Sequence, residues 1–166
     1  HSFDIKMEEN TSAGMTAHAL VVRMGANIMV TVDEGANVTA LIPTIKSGEN
    51  TTFYIDGKPI DSGITPADFS KTAKLLLRAE NGEERVYNIL LKTGSRIIDQ
   101  KVYSIMQKYN IPGISVSATK DEKMVYSYGY GFANTSTEER VTPQHLFRLA
   151  SITKTQTAIG IMTLVE

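Results

Sequence analysis

Ser151 and Lys154, in the tetrapeptide Ser151-Ile152-Thr153-Lys154, are the two side chains whose types and spacing could do chemistry together. A serine and a lysine three apart at the start of a helix lie on one face, a turn from each other. The amine then sits within hydrogen-bonding reach of the hydroxyl, the arrangement by which a lysine activates a serine nucleophile without histidine. The competing explanation is plain: such a tetrapeptide arises often by chance, as a serine helix cap followed by a solvated lysine. Its surroundings therefore have to decide.

The elements that must position the pair can be read from hydrophobic period. Ile98, Val102, Ile105, Met106 and Tyr109 recur at helical spacing and predict a helix over Ile98–Tyr109 with one buried face. Pro112-Gly113 is expected to end it. Ile114 to Ala118 alternates as a half-buried strand, Lys120-Asp121-Glu122-Lys123 reads as a polar turn, and Met124 to Phe132 as the return strand of a hairpin. Asn134 to Pro143 is polar and aperiodic, a loop. The last helix starts near Ser151 and is apolar on almost every side beyond Thr157, so it is expected at the centre of a domain.

Three ordered landmarks give this stretch its context. They are Asn110-Ile111-Pro112-Gly113, Gly129-Tyr130-Gly131-Phe132-Ala133-Asn134, and Phe147-Arg148-Leu149-Ala150-Ser151-Ile152-Thr153-Lys154. From about Ile97 to Glu166 the chain resembles the opening of the serine β-lactamase and penicillin-binding-protein superfamily. The branch it is most similar to holds class C β-lactamases, DD-peptidases and related esterases. The resemblance implies acyl transfer, with Ser151 attacking a carbonyl, an acyl-enzyme forming, and water releasing it. It also implies that Lys154 assists removal of the hydroxyl proton, which requires an at least partly neutral amine. A serine at a helix N-terminus would in addition place backbone N–H groups near the developing oxyanion.

Two further elements that the family uses do not match. It needs a Tyr-x-Asn motif, and no such triplet occurs in these residues. It also needs a Lys-Thr-Gly-like strand after the serine motif. Lys92-Thr93-Gly94 is present but precedes the serine, and reads as a coincidence. These 166 residues are therefore expected not to turn over substrate by themselves.

The first part of the chain, to about Ser95, has a different texture. Short β-rich runs are predicted at Ala19–Val22, Ile28–Val32, Val38–Ile45, Thr51–Ile55, Ala73–Ala79 and Arg85–Leu91. Turn signals separate them at Gly25-Ala26-Asn27, Glu34-Gly35, Ser47-Gly48, Asp56-Gly57, Ser62-Gly63 and Asn81-Gly82, the last a hairpin signal of the primed-turn kind. Strands at roughly ten-residue spacing predict an antiparallel β-sandwich. The runs Ile28–Thr44 and Asn81–Ile89 resemble small immunoglobulin-like modules of secreted and lipid-anchored Gram-negative proteins, which implies an accessory or spacer role without chemistry.

Composition narrows the remaining classes. The formal net charge is −1, with no basic excess to recruit nucleic acid. Cysteine is absent, which excludes disulfides and thiol chemistry. His1, His18 and His145 are isolated in sequence, so neither a metal site nor a cofactor is expected. No apolar run is long enough to span a bilayer. Sequons begin at Asn10, Asn37, Asn50 and Asn134, and threonine-rich β-segments generate such triplets freely. The run Tyr126-Ser127-Tyr128-Gly129-Tyr130 could line a ligand surface, but alternating residues on a hairpin are expected to split between core and solvent.

The expected fold is thus mainly β plus α/β: an immunoglobulin-like antiparallel β-sandwich over 1–95, then an incomplete α+β β-lactamase-like segment over 96–166. The expected function is the N-terminal part of a secreted serine hydrolase with Ser151 and Lys154 as catalytic residues. Its substrate would be a small-molecule or peptidoglycan-like acyl compound. The alternative is a non-catalytic binding or spacer module of a cell-surface protein. A periplasmic or cell-surface location is expected, with association to the cell envelope and any signal segment removed. Lacking the rest of a domain, 97–166 is expected to be disordered, packed non-natively or covered by another molecule.

Overall fold

The computed structural model describes residues 1–164, and its regular elements are mainly strands. They divide into two compact units, His1–Pro112 and Gly113 onward. The first holds β1 (Ser2–Asp4), β2 (Leu20–Met24), β3 (Asn27–Val32), β4 (Thr44–Lys46), β5 (Thr52–Ile55), β6 (Lys58–Ile60), β7 (Ala73–Arg78), β8 (Glu84–Thr93) and α1 (Arg96–Tyr109). The second holds β9 (Gly113–Lys120), β10 (Lys123–Asn134), β11 (Glu139–Arg140) and α2 (Thr153–Met162).

In the first unit a six-stranded sheet has the order β2-β3-β8-β7-β5-β6, and β1 pairs with β4 in a small second sheet. The strands are not all antiparallel as expected, because β3 and β8 run parallel with Thr31 beside Lys92. Period-two alternation sorts the side chains. Ile28, Val30 and Val32 of β3 and Tyr87, Ile89 and Leu91 of β8 enter the main core, where they meet Phe3, Ile5, Leu41, Ile45 and Phe69. Met29, Thr31, Leu90 and Lys92 are buried too but belong to the opposite face.

That opposite face is covered by α1, which touches β2 and β3. The helix buries Asp99, Val102, Tyr103 and Met106. The expected face differs by part of a turn: Ile98, Ile105 and Tyr109 are left 37%, 42% and 62% exposed. The reason is polar. Asp99 is fully buried and accepts hydrogen bonds from Lys92 Nζ and Thr31 Oγ1, both at 2.7 Å. Meeting those partners rotates the helix toward Asp99 and Tyr103. Its ends are tied as well, by Arg96 to Asp33 at 2.6 Å and by Gln107 Nε2 donating to the Arg23 carbonyl at 2.7 Å. Asn110 in the left-handed conformation stops the helix, with the Ile111 N–H closing onto the Met106 carbonyl, so Pro112-Gly113 is not the terminator.

Turn signals succeed where strand signals are mixed. Asp56 and Gly57, with φ of 49° and 77°, make the two-residue turn between β5 and β6. At Asn81-Gly82 the connection is longer than a two-residue turn. Only Gly82 has positive φ, and the Asn81 side chain accepts the Glu83 N–H. The expected strand Val38–Ile45 shrinks to Thr44–Lys46, because Asn37 Oδ1 accepts the Thr39 N–H and bends the chain while Pro43 supplies no N–H. Asn10 and Asn37, the first two sequon asparagines, are structural: Asn10 is buried and bridges Lys6 and Ile42 through three side-chain hydrogen bonds.

Two predictions follow from the way α1 is held. Lys92→Met would leave the Asp99 carboxylate buried without its cation and cost about 3–5 kcal/mol in urea unfolding. Lys92→Met combined with Asp99→Leu should recover most of that loss, since no charge then stays buried; a double variant as unstable as the single one would refute the account. Asp33 supplies the pH dependence. Partial burial opposes its charged form, but the Thr16 N–H, the Arg96 guanidinium and the Ala17 N–H outweigh that and hold its pKa below the ordinary 3.8. A lowered folded-state pKa contributes stability above the unfolded value that is lost as pH falls through the folded one. Unfolding of wild type and Asp33→Asn should therefore converge as pH drops below 3.8 and differ above it.

Candidate functional site

Ser151 and Lys154 lie where the second unit turns from loop into helix. Its sheet has the order β11-β10-β9. The turn between β9 and β10 is formed by Asp121 and Glu122, with φ of 49° and 61°. Tyr126, Tyr128 and Tyr130 alternate with Ser127 and Gly129 along β10 and so share one of its faces. Tyr130 is buried, its hydroxyl meets that of Tyr126, and its ring packs edge-on against Tyr128 at 5.4 Å.

The closing strand presses on two glycines. A Cβ on Gly129 would collide with the Val141 carbonyl, and one on Gly113 with the Phe132 carbonyl and with Val141 Cγ2 at 2.7 Å. Phe132 and Val141 are buried with Tyr130, so close backbone approach here creates the small core of this unit. The following segment is held by His145, which is not isolated as its sequence position suggested. Its Nδ1 accepts the Thr142 N–H at 2.9 Å and its Nε2 lies 3.2 Å from Glu139 Oε1. The signal was available only as proximity, since Glu139 and Thr142 lie in the same polar loop.

A short turn of 3-10 helix, Ala150–Ile152, then leads into α2. Ala150 has φ of 48°, the left-handed region that L-residues other than Asn and Asp seldom occupy. Lys154 Nζ donates to Ser151 Oγ at 3.0 Å. The structure therefore brings the two sequence-predicted residues together. An ammonium can only donate across this contact, whereas a free amine could also accept the serine proton. The first turn of α2 holds no acidic residue and its last turn no basic one. The helix is not central as expected: every described residue from Ser151 to Leu164 is exposed, because no apolar layer among the described residues covers it. The final two residues of the expected helix, Val165 and Glu166, lie outside the described residues.

Lys92-Thr93-Gly94 belongs to the first unit. Lys92 Nζ is engaged by Asp99 inside the first unit, with 3% of its side chain exposed, and so serves the packing of α1. No third residue is brought against Ser151 and Lys154 by a hydrogen bond among those described for the pair.

Comparison with known proteins bears on the same stretch. Residues 98–166 match the family described as Beta-lactamase. A β-lactamase of Pseudomonas fluorescens is 35% identical over 63 residues, covering 38% of this chain and 17% of that protein. A β-lactamase of Lysobacter lactamgenus is 33% identical over 84 residues, covering 51% of this chain and 22% of that protein. The chain thus spans about a fifth of the length of these curated relatives. These matches support the serine β-lactamase and penicillin-binding-protein superfamily for the segment. Among solved structures, a candidate secreted protein of Bacteroides fragilis is 11% identical with a TM-score of 0.35, over 48% of this chain and 74% of that one.

The glycine contacts generate a stability prediction. Gly129→Ala should push Val141 off β10 and destabilise the second unit by about 1–3 kcal/mol, as overpacking does. Hydrogen exchange at the Val141 amide, which donates to the Gly131 carbonyl at 3.0 Å, reports it directly. Unchanged protection of that amide would show that the close approach does not shape this unit.

Proposed function

We propose that this chain carries the opening of a serine hydrolase that works through an acyl-enzyme on Ser151. The observation that carries this reading is the match of residues 98–166 to the Beta-lactamase family, within which Lys154 Nζ lies 3.0 Å from Ser151 Oγ. Ser151 Oγ attacks a carbonyl carbon of a β-lactam, a D-Ala-containing peptide or an ester, while the neutral amine of Lys154 takes the hydroxyl proton. The C–N or C–O bond of the substrate breaks, and the proton passes to the departing amine or alkoxide. Water then attacks the acyl-serine ester and restores the hydroxyl. The class C-like branch fits the order of landmarks from Asn110-Ile111-Pro112-Gly113 through Lys154.

In this reading the immunoglobulin-like module ahead of the hydrolase segment serves as a spacer at the cell surface or in the periplasm of a secreted protein. The 166 residues contain neither a Tyr-x-Asn triplet nor a Lys-Thr-Gly after Ser151, so they bear the nucleophile without the groups that complete proton transfer and the pocket. By themselves they act as a β-rich binding or spacer module.

Mass spectrometry after incubation with a fluorescent penicillin and with a fluorophosphonate tests the proposal. A longer chain that spans the length of the curated relatives should gain an adduct on Ser151 that Ser151→Ala abolishes. Lys154→Met should slow its formation by at least about 100-fold, the scale of a lost general base. The 166-residue chain should gain none. Absence of adduct in the longer chain with both probes would overturn the assignment of Ser151 as nucleophile.

A further inference from the structure

The first unit carries an open seam between its two sheets. Just beyond β1 and just before β2 the chain makes one cross-link, with the Ala19 N–H donating to the Ile5 carbonyl at 3.0 Å. Continued as an antiparallel ladder, that contact would set Asp4, Phe3 and Ser2 alongside Leu20, Val21 and Val22. Instead β1 pairs with β4 and β2 with β3, and the two strands splay around a cavity of about 530 Å³. Residues of both strands line it, and its apolar floor includes Ile28, Leu75 and Leu77 of the large sheet and Ile45 of the small one. Arg23 stands at the mouth, its guanidinium 4.8 Å over the Tyr87 ring and donating to the Tyr87 hydroxyl at 3.2 Å.

The backbone at this seam says what would fill it. The turn Gly25-Ala26 closes the hairpin on the pair Met24–Asn27. Counting back from a closing pair that bonds across the hairpin, Val21 and Arg23 direct their N–H and C=O groups away from β3; Gln107 meets the Arg23 carbonyl, which leaves both groups of Val21 and the Arg23 N–H at the free edge. An apolar small molecule would fill the cavity but leave that edge to water. Only another backbone meets both the edge and the cavity.

We propose that the seam accepts an extended peptide with alternating apolar residues, supplied by another molecule, which pairs with β2 and places its inward side chains in the cavity. The occupant matches the five residues of β2 in length. Its inward side chains rest on the floor residues, and its outward ones are polar and face water. This site is independent of Ser151 and Lys154.

The test uses the whole chain and the synthetic peptide acetyl-Lys-Val-Thr-Val-Thr-Val-Lys-amide, with two controls. One is a scrambled peptide that lacks the alternation, and the other is N-methylated along one edge. Calorimetry should show binding of the alternating peptide and at least about tenfold weaker binding of both controls, since strand addition depends on main-chain bonds and alternate pockets. Hydrogen exchange at the Val21 and Arg23 amides should slow at least about tenfold on binding. Val21→Pro, at an edge position that tolerates proline, removes a donor of the free edge and should weaken binding to a similar degree. Val21→Lys, which puts a charge toward the cavity, should do the same while the far-ultraviolet circular dichroism stays unchanged. Equal binding of the N-methylated peptide, or decanoate binding that displaces the peptide without protecting either amide, would reveal a general apolar cavity and overturn the proposal. So would no binding of any peptide, or amides at Val21 and Arg23 already protected in the free chain through closure onto β1.

Discussion

The buried pair of Lys92 and Asp99 is the interaction on which the arrangement of the first unit depends. Neither charge could be left in so dry a place alone, since an unpaired buried ion costs several kcal/mol. The parallel register of β3 and β8 sets Thr31 beside Lys92, so one carboxylate is met by an ammonium and a hydroxyl at 2.7 Å each. That geometry fixes the rotation of α1, and with it which apolar residues are buried. Val102, Tyr103 and Met106 pack because Asp99 is anchored, while Ile105 and Tyr109 stay out. Burial of apolar area provides most of the driving force, but the polar contact selects one way of achieving it.

This anchoring changes how the segment that matches the family should be pictured. The match begins at residue 98, inside α1, whereas the compact first unit runs to Pro112. The helix that opens the matching segment is therefore packed into the first unit along its length, by Arg96 at one end and Gln107 at the other. Sequence texture changes near Ser95, but packing changes near Pro112. A boundary drawn from composition records where strand-like sequence stops. A boundary drawn from contacts records which element each side chain has found, and α1 finds β2 and β3.

Much of the secondary structure was legible because it rests on local rules. The hairpin around Asp121, the turn at Asp56-Gly57 and the long helix carry their signals in period and turn chemistry. β1 and β6 escaped notice because three residues are too few to show alternation, and β6 contains Pro59, which only an edge strand tolerates. The parallel pairing of β3 and β8 was illegible for a different reason: nothing local distinguishes a strand that will pair in parallel with one about sixty residues away. Asp99 was the largest omission. On a helix it reads as a solvated residue, and only the position of Lys92 on a neighbouring strand makes it a core residue.

The pair at Ser151 and Lys154 was legible for the opposite reason, because spacing alone brings it together. Residues three apart at the start of a helix meet as a consequence of helical spacing, whatever they do. The 3.0 Å contact is thus predicted equally by a hydrolase and by a solvated surface helix. What separates the two is everything that spacing does not supply: exclusion of water, donors aimed at an oxyanion, and a further group to carry the proton. Among the described residues α2 is exposed throughout, so water is not excluded from the pair. The weight therefore falls on the match over 98–166 and on the ordered landmarks from Asn110 to Lys154. Neither follows from helical geometry, so they can support the hydrolase reading where the contact distance alone does not.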